Sequence, residues 1–452
     1  TTLTCEYNTT TGCSIIGTSI TDTSTLSEGT HILTYTVKGK DNKKYLFNRN
    51  ILVEKGPILT GSLGKQILID NPTISTRTDF SKMYTTDTTG TIFKQSSSLT
   101  LQMTEDINGD GIGEDVYYYS GNPSNNWVKF GDYYWRIIRI NEDGSVRLIL
   151  TGTEYSATVD TNSFFEVYPG GYAFIASEAN YVDNPGTCPD RHSMDAGYMY
   201  GIPGSLANNR KNTNSSNIKT TIDNWYKDKI LSSYDKYVSK TAIYCADRSV
   251  GSGTYTDNDA AFSYASYTRA SNKTPTYKCG GNGTGGLFES KQAVEDKFSV
   301  STASGGNGDL TYPIALINAD ELVYAGGLYG YDNYTGSYPW YSIANPTVGT
   351  NSNGQTYVPD ANRVSGWWIT MSPSRWVGDT GGCYVSIITV NNSNNYGTSF
   401  IGGIYSGAAA SSRHPVRPVL SIKACAKYTR GDGSVMDPYI VTVDSSCANA
   451  EN

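Results

Sequence analysis

"YYWRIIRINEDGSVRLILTGT", residues 133–153, is the stretch that decides the fold of this chain. Its two arms are rich in β-branched and aromatic residues, which favour strands. Asp143 and Gly144 stand between the arms, and this dipeptide supplies the positive-φ positions of a tight hairpin turn. The stretch therefore predicts a β-hairpin in the main domain.

Two helices are predicted after the hairpin. "SSNIKTTIDNWYKDKIL" begins with Ser215 or Ser216 as N-cap and repeats apolar residues at helical spacing, which places one face in a core: Ile218, Ile222, Trp225, Tyr226 and Ile230. "LTYPIALI" predicts a short buried strand, and the next helix has an Asn318–Glu321 capping box and Gly326 as C-cap. Strands at both ends with helices between them indicate a β-rich α+β fold.

Four segments divide the chain. Residues 1–56 have two β-rich arms, Ile32–Val37 and Tyr45–Val53, and resemble part of an immunoglobulin-like module of bacterial surface proteins. Residues 57–89 are interpreted as a bridge, 90–425 as the main domain and 426–452 as a C-terminal β extension. Long loops rich in Gly, Asn and Tyr are expected at 155–215, 248–288 and 327–362.

Composition narrows the class of protein. Only 17% of the residues are charged, while tyrosine alone occurs 36 times among the 452 residues. The net charge of −7 argues against nucleic acid or an anionic membrane as partner. Because no stretch has eighteen consecutive apolar residues, no membrane span is expected. The chain opens on "TTLTCEYN" without a signal peptide, so we expect a processed ectodomain, extracellular and either secreted or on a bacterial cell surface.

The eight cysteines favour the same compartment, since none forms a CxxC and three histidines make a zinc site improbable. Structural disulfides are therefore expected. The preferred pairs are Cys5–Cys13, Cys245–Cys279 and Cys425–Cys447, which leaves Cys188–Cys383 by elimination. Eight cysteines allow about 105 connectivities, so other pairings stay open.

Six motifs occur in order between residues 90 and 443: "NNWVKFGDYYWRIIRINEDGSVRLIL", "IDNWYKDKIL", "LTYPIALINADELVYAGG", "GWWITMSP", "VRPVLSIK" and "GDGSVMDPYIV". Together they resemble secreted surface proteins of gut Firmicutes. The double tryptophan and the terminal "RPVL" also resemble the C-type-lectin-like fold of formylglycine-generating enzymes and retroelement-diversified receptors. The resemblance implies that Trp367 and Trp368 start a core strand, that Val416–Ile422 closes the same sheet, and that the residues between form a binding face. Both tryptophans are expected in the core.

Calcium is the one cofactor that a motif suggests. "EDINGDGIGEDVYYY" carries Asp106, Asn108 and Asp110 at the spacing of a calcium loop, with Glu114 or Asp115 as the acid that would complete it. Asp106, Asn108, Asp110 and Asp115 are the predicted ligands, and an Asx-turn hairpin without metal is the alternative. The Glu-Pro-Asn and Gln-Pro-Asp triplets of calcium-dependent lectins are absent from the sequence.

Enzymatic chemistry has little support. Nucleophilic catalysis requires a base beside a serine or cysteine, but His31, His192 and His414 occur in unrelated contexts. Resemblance to formylglycine-generating enzymes implies two reactive cysteines close together, and Cys383 is alone between residues 280 and 424. No catalytic residue is therefore predicted.

Residues 374–414 have the composition of an antibody paratope, in which Tyr supplies contact area and Ser, Gly and Asn supply adaptable hydrogen bonds. The predicted ligand contacts are Ser374, Arg375, Trp376, Asp379, Tyr384, Ser386, Asn391, Asn392, Asn394, Asn395, Tyr396, Thr398, Phe400, Tyr405, Arg413 and His414.

This window also lacks four residue types. Lys, Glu, Gln and Met make up 45 of the 452 residues, yet none occurs from Ser374 to His414. Replacing only the adenines of the Asn codon AAC reaches Tyr, Ser, Gly, Ala, Ile and Arg, but not Lys, Glu, Gln, Met or Trp. The resemblance to retroelement-diversified receptors thus implies a diversified window, with Trp376 as a constant position; ordinary polar loop composition is the alternative.

The sequence accordingly predicts an extracellular ligand-binding or adhesion protein whose partner is a protein or glycan of a host or neighbouring cell surface. A structural pilus or stalk subunit is the second hypothesis, and an oxidase resembling formylglycine-generating enzymes the third.

Overall fold

The structure is a computed structural model. It describes these residues: 2–8, 12–16, 29–38, 43–53, 58–59, 61–95, 104–108, 112–153, 212, 215–252, 262–279, 296–330, 339–341, 349–350, 356–357, 367–379, 382–391, 404–409 and 416–450. The chain divides into two compact units, Thr1–Pro57 and Ile58–Asn452. The second unit contains both sheet and helix, so the fold is a β-rich α+β fold, as predicted.

The first unit is a four-stranded sheet in the order β2-β1-β3-β4. Its strands are β1 (Thr2–Asn8), β2 (Gly12–Ile16), β3 (Gly29–Lys38) and β4 (Lys44–Val53). Strands β1 and β3 run parallel, while the predicted β3–β4 hairpin is antiparallel. An immunoglobulin-like sandwich has two facing sheets. The described part of this unit forms one, so the immunoglobulin-like assignment stays a prediction.

The second unit is built around the hairpin predicted from residues 133–153. Its first elements are α1 (Leu63–Asp70), β5 (Thr73–Ser75), β6 (Thr91–Gln95), β7 (Val116–Tyr118), β8 (Trp127–Phe130), β9 (Tyr133–Ile140), β10 (Val146–Thr153), α2 (Asn217–Lys229), a 3₁₀ turn (Asp235–Tyr237) and β11 (Tyr244–Cys245). Gly144, at φ 78°, supplies a positive-φ position in the β9–β10 turn, as predicted, whereas Asp143 does not.

The remaining elements are β12 (Val250–Ser252), β13 (Phe262–Tyr264), α3 (Ala265–Asn272), β14 (Lys297–Phe298), β15 (Ala315–Leu316), α4 (Ala319–Tyr324), β16 (Gly349–Thr350), β17 (Thr356–Tyr357), β18 (Trp367–Asp379), β19 (Gly382–Asn391), β20 (Ile404–Ala409), β21 (Pro418–Ile422), β22 (Lys427–Arg430), β23 (Ile440–Thr442) and α5 (Ser445–Asn449). Strands β12 and β13 and helix α3 lie inside 248–288, where the sequence predicts a long loop.

The core sheet has the order β15-β21-β10-β9-β7-β6-β5, with β8 also paired to β9. The central strands β9 and β10 are buried on both faces, so each face needs a cover. Helix α2 covers one part, with Trp225 against Trp135 at 6.3 Å between ring centroids. Its N-cap is Ser216, and all five predicted face residues are buried. The helical prediction is thus confirmed.

Helix α4 brings a carboxylate to the hairpin. The predicted Asn318–Glu321 capping box is present, and Gly326, at φ 122°, follows the cap residue Ala325. Glu321 also pairs with Arg147 at 2.6 Å and with Arg139 at 3.3 Å. Burial raises the pKa of Glu321, but the two arginines lower it further, so the pKa lies below its ordinary value.

Residues 58–89 of the predicted bridge are part of the second unit. Leu63 and Ile67 of α1 are buried, and the Leu63 amide donates to the Ala426 carbonyl at 3.0 Å. The C-terminal residues 426–450 contact the same helix. Strands β22 and β23, which lie within this segment, pair with each other. Residues 58–452 thus belong to one compact unit, and the finer division into bridge, main domain and C-terminal extension stays a prediction.

A second sheet has the order β12-β13-β18-β19-β20. The prediction that the Trp367-Trp368 strand and the closing strand share a sheet is wrong. Strand β18 has β13 and β19 on its two edges, whereas β21 lies between β10 and β15 in the core sheet. Arg417 connects the sheets: its Nε donates to the Leu150 carbonyl at 3.1 Å, and its guanidinium lies 5.1 Å from the Trp368 ring.

Two predicted disulfides fall within the described residues, Cys245–Cys279 and Cys425–Cys447, and both are bonded. Cys188 lies outside the described residues, as do the side chains of Cys5, Cys13 and Cys383. No helix in the described part of the chain is long and apolar enough to cross a membrane.

Candidate functional site

Strand β18 changes its surroundings halfway along. Its pairing with β19 shifts register on both sides of Pro373, where the proline cannot donate to the ladder and a bulge is the usual result. Residues 368–374 before the shift are buried, whereas Arg375 is exposed. The bulge therefore marks the place where the second sheet emerges from the core.

The core holds the buried half of this strand firmly. The Met371 amide donates to the Ile317 carbonyl at 3.0 Å, and the Ser372 hydroxyl accepts from the Ala319 amide at 3.0 Å. From the other side, the Ser266 hydroxyl of α3 donates to the Pro373 carbonyl at 2.6 Å. These bonds attach β18 to helices α3 and α4.

Arg375 lies on Tyr267, which in turn contacts Tyr329, and we call these three residues the Arg375 patch. Its guanidinium is 4.4 Å from the centre of the Tyr267 ring and donates to the Tyr267 hydroxyl. Tyr267 meets Tyr329 edge-on at 5.2 Å between centroids, and Tyr329 bridges to Ile404 at the start of β20. Helix α3, strand β18 and residues 328–330 thus converge on one surface.

Helix α3 is held in place by an ion-pair network around Arg269. Arg269 reaches Asp247 at 2.6 Å and Asp320 at 2.7 Å. Burial lowers the pKa of Arg269, but Asp320 and Asp247 outweigh it and raise the pKa above its ordinary value. Tyr267, two residues before Arg269 on the same helix, is therefore presented on a rigid support.

Comparison with known proteins found no match. Neither a family model, nor a curated protein, nor a solved structure matches this chain. The chemistry of the site must accordingly be judged from its own residues.

The predicted ligand contacts fall into three groups. Ser374 and Arg375 have described side chains. Others are placed by backbone only: Trp376 and Asp379 on β18, Tyr384, Ser386 and Asn391 on β19, and Tyr405 on β20. The rest lie outside the described residues: Asn392, Asn394, Asn395, Tyr396, Thr398, Phe400, Arg413 and His414.

The backbone register brings several of these positions together. Ser386 stands opposite Arg375, Val385 opposite Trp376, and Tyr405 opposite Thr389. On the other edge of β18, Ser263 stands opposite Arg375. The predicted window thus contributes three adjacent strands of one sheet.

Ser374 differs from its neighbour Arg375. Its residue is fully buried, and its hydroxyl oxygen has no hydrogen-bond partner among the described residues. Its burial does not favour contact with a ligand at the surface, and the predicted contact stays a prediction.

The predicted calcium ligands have different surroundings. Asp115 forms an ion pair with Lys94 of β6 at 2.5 Å. Asp106 and Asn108 are exposed, and Asp110 lies outside the described residues. The Glu114 carboxylate accepts from the Ile107 amide at 2.9 Å and the Asn108 amide at 3.2 Å. Burial is the main cause that raises the pKa of Glu114.

Those two backbone bonds close the loop as an Asx-type turn would, with Glu114 as the acceptor. No group of three or more metal-ligating side chains is found within the described residues. Calcium binding at this loop stays a prediction.

Sequence reasoning found Arg375 but missed Tyr267 and Tyr329. Both tyrosines fall in segments interpreted as loops, and the three residues are brought together only by pairing of distant strands. The frequent tyrosines of those segments were the one available signal. Chemically, an exposed guanidinium on aromatic rings can bind carboxylate, phosphate or sulfate groups and stack on planar ones.

Proposed function

We propose that this chain is an extracellular ligand-binding or adhesion protein whose binding face is the outer end of the second sheet, around the Arg375 patch. The observation that carries the proposal is the exposed Arg375 stacked on Tyr267, directly after the bulge at Pro373. Arginine and tyrosine are the side chains that dominate binding hot spots.

The rigid support beneath the patch favours binding over packing. Helix α3, which carries Tyr267, is fixed by the Arg269 ion pairs, and β18 by bonds to α3 and α4. A preorganised surface loses less conformational entropy on binding, so more of the contact energy becomes affinity. The composition of residues 374–414 adds adaptable polar groups beside this fixed anchor.

A C-type-lectin-like scaffold diversified by a retroelement is the finer form of the proposal. Its support is the order of the six sequence motifs, together with the absence of Lys, Glu, Gln and Met from Ser374 to His414. A near-copy of the segment encoding 374–414 that differs only at adenines, beside a reverse transcriptase gene, is the expected genomic finding. Its absence from the source genome would leave ordinary loop composition as the explanation.

The binding proposal is tested on immobilised mucin and on cultured epithelial cells as probes. Arg375→Ala and Tyr267→Ala are each expected to weaken binding of the labelled chain by about tenfold, as loss of a hot-spot residue does. Arg375→Lys keeps the charge but loses the planar fork, so partial loss is expected. Lys227→Ala, which removes an exposed cation from α2, is the matched control.

Unchanged binding by both patch variants would overturn the proposal, as would equal loss in the Lys227 control. The structural-subunit hypothesis predicts another result. Sedimentation would show polymers of the purified chain that grow with concentration, and Arg375→Ala would disperse them without any effect on mucin binding.

A further inference from the structure

The guanidinium of the Arg375 patch has no carboxylate to neutralise it within the described residues. Its Nη2 donates to the Tyr267 hydroxyl, which is the one hydrogen bond of the Arg375 side chain in the described part of the chain. The carboxylates that contact helix α3, Asp247 and Asp320, pair with Arg269 instead. An exposed guanidinium with unused donors can bind an anion that a ligand supplies.

The Tyr267 hydroxyl is a second unused donor beside this guanidinium. Its oxygen accepts from Arg375, while its own proton has no acceptor among the described residues. Tyr329 packs edge-on against the Tyr267 ring, at 5.2 Å between centroids, and so restricts the position of the hydroxyl. One anion can therefore receive a hydrogen bond from Arg375 and another from Tyr267.

Ser263 adds a third donor from the neighbouring strand. It stands directly opposite Arg375 in the antiparallel β13–β18 pair, and the side chains of such a pair lie on one face of the sheet with Cβ atoms about 5 Å apart. Ser263 is half-buried, and its hydroxyl makes no hydrogen bond to any residue that the structure describes. Three donors from β18, α3 and β13 thus lie at one surface.

The charges around these donors favour an anion. Residues 374–414 contain two arginines and one acid, although the whole chain has 42 acidic residues against 35 Lys and Arg. That acid, Asp379, stands four residues along β18 from Arg375, which is about 13 Å in an extended strand. The sequence of residues 262–279 contains no acid. The negative charge at the patch must therefore come from the ligand.

We propose that the Arg375 patch recognises a sulfate ester on a sulfated saccharide, a proposal that rests on the binding function proposed above. The three terminal oxygens of the ester accept hydrogen bonds from Arg375, Tyr267 and Ser263. Its single negative charge matches the single guanidinium, which makes the bond to Arg375 charge-assisted.

The arrangement and the charge of the donors select the sulfate ester among anionic groups. A carboxylate presents its two oxygens in one plane, which suits a guanidinium fork alone. The tetrahedral ester directs three oxygens to donors that stand on three different elements. A phosphate monoester carries a charge of about −1.5 to −2 at neutral pH, so one guanidinium does not neutralise it. A neutral saccharide supplies no anion.

The test compares three probes by calorimetry on the full chain: the 6-sulfates of methyl galactoside and methyl N-acetylglucosaminide, their unsulfated counterparts, and a methyl sialoside that carries a carboxylate. The wild type is expected to bind a sulfated probe at least about tenfold more tightly than the unsulfated one and the sialoside, the value of one charge-assisted hydrogen bond. Mucin from which sulfate has been removed should lose binding by a similar factor, whereas mucin from which sialic acid has been removed should bind as before.

Variants of the three donors separate their contributions. Tyr267→Phe keeps the ring beneath the guanidinium and removes only the hydroxyl, and Ser263→Ala removes the third donor. Each is expected to reduce the preference for the sulfated probe by about fivefold, the value of one neutral hydrogen bond. Arg375→Ala should abolish the preference, and the control Lys227→Ala should retain it in full.

Two kinds of failure can be told apart. Equal binding of the sulfated and unsulfated probes by the wild type, tighter binding of the sialoside, or a full preference in Arg375→Ala would refute the sulfate assignment. If mucin binding still depends on Arg375 and Tyr267 in that case, the binding face stands and only its ligand group is wrong. Mucin binding that is unchanged in Arg375→Ala and Tyr267→Ala would refute the binding face itself, and the sulfate assignment with it.

Discussion

Arg248 and Asp296 form an ion pair that is closed to solvent at both ends, with no exposed area on either side chain. The Arg248 Nε donates to Asp296 Oδ1 at 2.6 Å, and the Arg248 backbone amide donates to Oδ2 at 2.6 Å. Burial raises the pKa of Asp296 to about 6, although Arg248 opposes this shift. The two charges of such a buried pair lose hydration free energy, and their mutual attraction offsets only part of that loss.

The sign of the pH dependence follows from that raised pKa. The folded chain holds the Asp296 proton more tightly than the unfolded chain, whose carboxyl has its ordinary pKa near 3.8. Asp296 therefore contributes stability that grows as the pH falls through about 6 and is lost as the pH rises through it. Asp296→Asn cannot titrate, so the wild type should gain about 1 kcal/mol relative to the variant between pH 7 and pH 5.

Urea unfolding of both proteins at pH 5 and pH 7 measures this difference. Equal differences for Asp296→Asn at the two pH values would show that its carboxyl titrates outside this window.

At the scale of elements, local sequence patterns are sufficient to predict a helix or hairpin that depends only on its own residues. The β9–β10 hairpin, the face and N-cap of α2 and the capping box of α4 could be predicted, because each depends on residues a few positions apart. Strand partners could not, since β21 pairs with β10 across more than 260 residues. Hydrophobic patterning says that a strand is buried but not which edge it occupies.

The candidate site was predictable only in part for the same reason. Arg375 stood out through the composition of its own window, whereas Tyr267 and Tyr329 join it from helix α3 and residues 328–330. Ser374 shows most clearly what composition cannot predict. The composition of the window predicts a ligand contact for both Ser374 and Arg375. The shift of register at Pro373, which has no clear sequence mark beyond the proline, decides that one is buried and the other exposed.

The C-terminal elements β22, β23 and α5 depend on one covalent link. Cys425–Cys447 closes a loop with a sequence separation of 22, and Lys423 donates to the carbonyls of Cys447 at 3.1 Å and Ala448 at 3.0 Å. A loop of this size is worth about 3 kcal/mol through the entropy of the unfolded chain. The double variant Cys425→Ala and Cys447→Ala should therefore lower the free energy of unfolding by about that amount.

Hydrogen exchange should show which residues are destabilised by the loss of the disulfide. Amides of 427–449 are expected to exchange faster in the double variant, while those of the β9–β10 hairpin keep the protection of the wild type relative to global unfolding. Unchanged exchange at 427–449 would mean that the backbone bonds to β8 and the packing against α1 hold these strands without the disulfide.

At the scale of the whole molecule, the proposed binding face belongs to the second unit. The Arg375 patch is formed entirely by residues of Ile58–Asn452, which has its own core around β9 and β10. The first unit has only 57 residues, and a domain of that size buries a smaller share of its surface and is correspondingly marginal. Binding and stability of the larger unit should therefore be separable from the smaller one.

Deleting residues 1–57 tests this separation. The remaining chain is expected to unfold in one cooperative transition with a midpoint within about 2 °C of the main transition of the full chain, because its core loses no strand. Calorimetry gives the midpoint, and the mucin assay gives the binding activity, which should persist. A midpoint lowered by more than about 5 °C, roughly 4 kcal/mol for a unit of this size, would show that the second unit needs the first. Loss of mucin binding with stability intact would instead move the adhesive surface to residues 1–57 and away from the Arg375 patch.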